Sequence, residues 1–210
     1  AVRESLVLLT NQNNILPLAK DTPVIFVAGQ GANDLGLQSG GWTLEWQGKP
    51  GNDNEGTTIL SAMRTALNPD SRIEYNSEGD FSEFKNEDES PLMADVGIVV
   101  IAEKPYAEGV GDKADISLTE AEIKLITQAK KQSKLLVVIL LSGCPRVITD
   151  QLSLVDAWVA AWLPGTEGGG IADVLFGDFP FTGKLSYSWP RSNDQLPINI
   201  NNSANKTGCD

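Results

Sequence analysis

Four short apolar runs, at residues 23–29, 95–102, 134–143 and 155–162, constrain this chain more than anything else in it. They are rich in Val, Ile, Leu and Ala and lack polar alternation, the pattern of strands buried on both faces. Helical patterns lie between them, at 57–66, 119–131 and 169–176. The second of these has a defined start. Thr119 stands as a cap before the acids Glu120 and Glu122, and Lys130 and Lys131 fall in the last turn, where cations favour the helix dipole. Strands alternating with helices at this spacing predict an α/β domain, a mostly parallel sheet covered on both faces. A length of 210 residues suits one such domain. In sheets of this kind ligands gather at the carboxyl ends of the strands, which singles out three loops: 29–48, 103–117 and 142–147.

The remaining segments read more simply. Residues 1–9 read as helix, and the chain opens at Ala1 in the middle of that pattern, so it is expected to be a piece cut from a longer protein. The lack of a signal peptide then carries no information about compartment. Asn11 and Asn14 bound a turn. The acidic run at 78–90 reads as a solvated surface excursion rather than a metal site. Residues 201–210 are polar and aperiodic, the composition of a linker or the stump of a further segment.

Composition removes whole classes of function. A net charge of −12, from 16 basic and 28 acidic residues, argues against nucleic acid or an anionic membrane as partner and favours a neutral ligand. No apolar run approaches the ~20 residues that span a bilayer. The chain has no His, which excludes a Ser-His-Asp triad, and only Cys144 and Cys209. Two cysteines allow one bridge at most, not a disulfide framework, and they give no basis for a zinc site. No metal and no cofactor is called for. Acid–base chemistry must rest on carboxylates, Lys or Tyr.

Two of the three loops carry groups suited to chemistry. Residues 40–48 read Gly-Gly-Trp-Thr-Leu-Glu-Trp-Gln-Gly. Trp42 and Trp46 form an apolar surface rimmed by Thr43, Glu45 and Gln47, which suits a sugar: the C–H face of a pyranose stacks on indole while its hydroxyls need fixed donors and acceptors. An arbitrary Trp pair is more often core packing. Here Gly40, Gly41 and Gly48 weaken any helix or strand and put the pair on a loop. The second loop, from Glu103 through Tyr106 and Glu108 to Asp115, holds several carboxylates, two Lys and a Tyr. Crowded carboxylates raise the pKa of at least one, as a general acid near neutral pH requires, although an acidic loop is more often just exposed.

Glycine-rich stretches elsewhere read as packing. The run at 28–36 follows a strand but lacks the Gly-x-Gly-x-x-Gly spacing and any Walker lysine, so close backbone approach accounts for it better than a phosphate cradle. At 162–170 Glu167 opposes an anion, and a tight turn into the following helix is the better account.

Taken together these segments resemble the second domain of glycoside hydrolase family 3, the β-glucosidases and β-glucan exohydrolases. The resemblance runs over nearly the whole chain. Its motifs occur in order: Ser5-Leu6-Val7-Leu8-Leu9 with Leu16-Pro17-Leu18; residues 40–48; Glu103-Lys104-Pro105-Tyr106-Ala107-Glu108 with Gly111-Asp112; Ser142-Gly143 with Pro145; Ala161-Trp162-Leu163-Pro164-Gly165 with Glu167-Gly168; and Phe176-Gly177-Asp178-Phe179 with Phe181-Thr182-Gly183-Lys184-Leu185. The aromatic-glycine segment that usually closes the family's domain is not reached by Asp210.

The resemblance implies a three-layer α/β sandwich around a mostly parallel six-stranded sheet over residues 1–200. Residues 1–18 would be an opening helix and linker from a preceding (β/α)₈ barrel, and 201–210 a polar tail. It also implies a retaining enzyme that releases glucose from the non-reducing ends of a β-glucan or β-glucoside. The barrel would carry the nucleophilic Asp in a Ser-Asp-Trp-like context, and no Ser-Asp pair exists here. The family's acid/base position falls on Glu108. Trp46 falls on the indole that stacks against the next sugar, and Trp42 lines or supports the same slot. Glu103 and Asp112 would tune Glu108 or fix its loop. The implied setting is secreted or periplasmic, and this piece alone would be inert. Two other readings stay open from the residues: a non-catalytic carbohydrate-binding module using Trp42 and Trp46, and a flavodoxin-like anion-binding module using the 29–36 turn.

Overall fold

A computed structural model describes residues 1–198, so the polar tail at 201–210 and Cys209 lie outside the described residues. Six strands form one sheet in the order β1-β6-β5-β4-β2-β3. The four apolar runs are the centre of it: β2 (Val24–Ala28), β4 (Ala94–Ala102), β5 (Ser133–Leu141) and β6 (Ala157–Trp162). All neighbouring pairs are parallel except one at the edge, where β1 (Val7–Asn11) runs antiparallel to β6.

Side chains alternate between two apolar layers because successive residues of a strand face opposite sides of the sheet. Ile25, Val27, Ile98, Val100, Val137, Ile139 and Val159 pack on one face, beneath α3 (Ile59–Ala66) and α5 (Gly169–Leu175). Phe26, Val99, Ile101, Val138, Leu140 and Trp158 pack on the other, beneath α4 (Glu120–Lys131). The three-layer arrangement follows from strands that are apolar on both sides. Helix starts are set by side-chain caps. Thr119 and Glu122 form a reciprocal capping box on α4, and Thr58 accepts from the Ser61 N–H to start α3. A short helix that the sequence pattern did not single out, α2 (Leu35–Ser39), is capped by Asp34.

Both edge strands differ from the sequence expectation. The helix expected over 1–9 is limited to α1 (Val2–Ser5), and the next residues form β1. Leu-rich segments favour helix locally, but the open edge of β6 offers main-chain partners from Ala160 to Ala157, and pairing covers that edge. Asn11 then closes the turn, its side chain bonding the backbone N–H and C=O of Leu16, both at 3.0 Å. The other edge, β3 (Arg72–Asn76), alternates Ile73 and Tyr75 toward the core layer with charged Arg72 and Glu74. Its half-polar pattern is why no apolar run marks it.

The acidic excursion at 78–90 is exposed over most of its length, yet Phe81 is buried and stacks on Phe26 at 4.2 Å, anchoring the segment to the sheet. No helix among the described residues is long and apolar enough to cross a membrane.

Gly29 shows why the turn after β2 needs glycine. Its φ is +93°, and a β-carbon there would collide with the Val100 carbonyl of β4. Gly29→Ala combines overpacking with backbone strain and should lower stability by about 2–4 kcal/mol, read from urea unfolding midpoints.

Candidate active site

The parallel strands send their following loops to one end of the sheet, and there the loops after β2, β4, β5 and β6 meet. The Trp loop after β2 folds tightly on itself. The Trp42 N–H donates to the Trp46 carbonyl at 2.9 Å, the Gly48 N–H donates to the Glu45 carbonyl at 3.1 Å, and Trp42 and Leu44 adopt φ of +58° and +64°. This brings the two indoles together, with ring centroids 6.3 Å apart and planes inclined at 49°. They are not core packing: Trp42 is 70% exposed and Trp46 52%.

The Trp loop lies directly against the loop after β4. A β-carbon on Gly41 would collide with the Tyr106 carbonyl, and one on Gly48 would lie 2.9 Å from the Pro105 β-carbon. Glycine at position 41 lets the two backbones approach directly, and glycine at 48 leaves room for the Pro105 side chain. A hydrogen bond fastens the contact: the Ala107 N–H donates to Gln47 Oε1 at 2.9 Å. Ala107 is the residue before Glu108. Sequence reading placed Gln47 on the rim of the platform, whereas the structure uses its side-chain carbonyl as a latch.

Glu108 begins a short 3-10 turn, Glu108–Gly111, and holds a left-handed φ of +53°, uncommon for a residue with a side chain. It is exposed, and among the described residues its carboxylate makes no hydrogen bond or ion pair. Glu103 is the opposite case. It is 9% exposed, and its Oε1 accepts from Lys113 Nζ at 3.0 Å and lies 3.7 Å from Arg146 Nη1. Oε2 accepts from the Tyr106 hydroxyl at 3.1 Å and from the Gly143 N–H at 3.2 Å. A buried carboxylate is tolerable when cations and donors surround it this way. Of the two acids expected to tune Glu108 or fix its loop, Glu103 makes these bonds, which join the two limbs of the loop and the loop after β5. The Asp112 side chain makes no hydrogen bond or ion pair among the described residues.

Tyr106 fills the inside of the loop. Its ring faces Gly111 so closely that a β-carbon would overlap it, and its hydroxyl would lie 2.7 Å from a β-carbon on Gly143. Burial, reinforced by the Glu103 charge, raises its pKa well above the usual tyrosine value, so the phenol remains a neutral donor. Cys144 is a half-buried free thiol whose pKa is likewise raised, first by burial and then by the Glu103 charge, which favours the protonated form.

The floor beneath is Arg146, buried between the loops after β4 and β5. It donates to the carbonyls of Ile116 and Ser117, at 3.0 and 2.7 Å, and to Glu122 of α4 at 3.1 Å. Sequence reading counted Lys113 only among the charges of the second loop and gave Arg146 no role. A basic residue after a strand carries no periodic signal, and only the fold shows that both converge on Glu103.

Comparison with known proteins gives this arrangement a family. Residues 6–208 match the model described as the glycosyl hydrolase family 3 C-terminal domain. The chain belongs to that family. A lysosomal beta glucosidase of Dictyostelium discoideum is 35% identical over 93% of this chain and 25% of its own length. A periplasmic beta-glucosidase of Salmonella typhimurium is 33% identical over 93% of this chain and 28% of its own. Among solved structures, an exo-1,3/1,4-beta-glucanase from a Pseudoalteromonas species is 39% identical with a TM-score of 0.82, covering 96% of this chain and 26% of that one. A Listeria innocua beta-glucosidase solved with glucose is 28% identical with a TM-score of 0.76, covering 98% of this chain and 29% of that one. This family domain therefore spans about a quarter to a third of the proteins it resembles. The α/β sandwich expected from the resemblance is the fold these neighbours share.

The latch between the loops can be tested alone. Gln47→Leu keeps side-chain bulk but removes the acceptor for the Ala107 N–H, so that amide should exchange at least about ten-fold faster with deuterium. Unchanged exchange at Ala107 would show that the loops are held by backbone packing without it.

Proposed function

We propose that this chain is the acid/base-bearing second domain of a retaining, exo-acting β-glucosidase or β-glucan glucohydrolase, with Glu108 as acid/base and Trp46 and Trp42 forming the wall that receives the leaving sugar. One observation carries the reading: the Glu108 carboxylate, unpaired among the described residues, stands on a loop fastened, one residue away, to the exposed tryptophan platform. A group that protonates a glycosidic oxygen must sit beside the ring on the leaving side, and that juxtaposition is what a Trp-stacked sugar and an adjacent free carboxyl supply. The matched relatives include enzymes named as beta-glucosidases and an exo-1,3/1,4-beta-glucanase, which supports a β-glucoside or β-glucan substrate.

In the proposed reaction Glu108, protonated, delivers its proton to the leaving oxygen while an ionised carboxylate attacks the anomeric carbon. A covalent glucosyl-enzyme forms, and Glu108, now ionised, takes a proton from the water that hydrolyses it. The attacking carboxylate belongs to a preceding (β/α)₈ barrel, and this chain covers only 25–28% of its curated relatives, so such a partner has room within proteins of that length. With acid and nucleophile on separate domains, the isolated chain is inert. One relative is named for the periplasm and another for the lysosome, which supports a place outside the cytosol, secreted or periplasmic.

The exposure of both indoles also suits a non-catalytic carbohydrate-binding module. One experiment separates the two readings. Glu108→Gln in the full-length enzyme should lower kcat/KM on alkyl β-glucosides by about 10²–10⁴-fold, with a much smaller loss on aryl glucosides whose leaving groups need no proton. Wild-type kcat/KM on alkyl glucosides, together with glucan binding by the isolated domain, would favour the binding module instead.

A further inference from the structure

The loop that carries Glu108 is closed at its base by an ion pair. Glu103 follows the last residue of β4 and Lys113 lies on the returning limb, with Glu108 midway, five residues from each. We propose that the Glu103–Lys113 pair is a positioning device for the acid/base: it ties the two limbs of the loop together and thereby fixes where the Glu108 carboxyl stands. The proposal rests on the assignment of Glu108 given above.

Three observations carry it. First, the two oxygens of Glu103 are used differently. Oε1 faces the cations Lys113 and Arg146, while Oε2 takes the neutral donors Tyr106 and Gly143. One carboxylate thus joins the start of the loop, its interior, its end and the neighbouring loop after β5. Second, the two cations are not equivalent. Arg146 is held in place without Glu103, by two carbonyls and Glu122. Among the described residues Lys113 has Glu103 as its ion-pair partner and otherwise the face of the Tyr106 ring, 5.2 Å from its ammonium. Arg146 is a fixed floor, and Lys113 is the tie. Third, the apex has little support of its own. Nothing lies within 4 Å of a β-carbon placed on Gly109, and Glu108 holds a left-handed φ that persists only where surrounding structure enforces it. Besides the Ala107 latch, the Asp112 N–H bonded to the Gly109 carbonyl and the Tyr106 ring packed on Gly111, the loop is held by the ion pair at its base.

A tie that only stabilised the fold would affect all substrates alike. A tie that positions an acid matters most where proton delivery limits the reaction. The test uses the full-length enzyme and variants of Lys113, whose side chain is partly exposed and can be changed without opening the core. Lys113→Met should lower kcat/KM on an alkyl β-glucoside by about 10–100-fold while changing kcat/KM on a dinitrophenyl β-glucoside by less than about three-fold. Lys113→Arg should restore most of the loss, and Glu103→Gln, where it folds, should reproduce the Lys113→Met selectivity. Equal losses on both substrates, or none on either, with Glu108→Gln still impaired, would overturn the positioning role and leave the acid/base assignment standing. A Glu108→Gln enzyme with wild-type kcat/KM on the alkyl glucoside would overturn both.

Discussion

Two loops in this domain touch backbone to backbone, and the rest of the candidate site depends on that contact. Gly41 lies against the Tyr106 carbonyl and Gly48 against the Pro105 side chain, and beside that contact the Ala107 N–H donates to Gln47. A side chain on Gly41 would push the tryptophan loop away from the loop that carries Glu108. The fold brings these loops to a common end because β2 and β4 are adjacent and parallel, so the segments that follow them leave on the same side.

Holding the site in this form sets conformational cost against buried electrostatics. Trp42, Leu44, Glu108 and Trp162 all adopt left-handed φ, and all four follow the carboxyl ends of the central strands or close one of them. Each such residue costs on the order of 1 kcal/mol or more. Opposing that cost, Glu103, Tyr106, Lys113, Gly143 and Arg146 form a connected set in which the buried carboxylate has cations on one oxygen and donors on the other. Trp42, Leu44 and Glu108 are exposed and Trp162 is half-buried at the end of β6, whereas Glu103 and Arg146 of the network are buried.

Much of the fold was legible in the sequence because its central strands are apolar on both faces. The 95–102 run could hardly be anything but an inner strand, and Thr119 with Glu122 marked a helix start that the capping box matches. The edges were not legible. Residues 7–9 read as the end of a helix because nothing in Val-Leu-Leu announces that β6 has an open side to be covered, and Arg72 to Asn76 carry too few apolar residues to stand out. Within the site, the exposed Trp loop and the carboxylate-rich loop were both visible as composition, and their glycines pointed to loops. Their contact was not, because pairing between segments some sixty residues apart leaves no local pattern. The partners of Glu103 were hidden for the same reason: Lys113 and Arg146 are apart in sequence and converge on it only in space.

The proposed function makes one geometric demand that this domain cannot meet alone: its free carboxylate must face a nucleophile across the scissile bond. The most direct measurement is a crystal structure of the full-length enzyme with a β-linked glucosyl disaccharide held unhydrolysed. The account predicts the Glu108 carboxyl in hydrogen-bond reach of the glycosidic oxygen, about 5–5.5 Å from the barrel carboxylate, with the second sugar ring stacked on Trp46. A disaccharide bound with Glu108 turned away from the linkage, or with another acid nearer that oxygen, would contradict it.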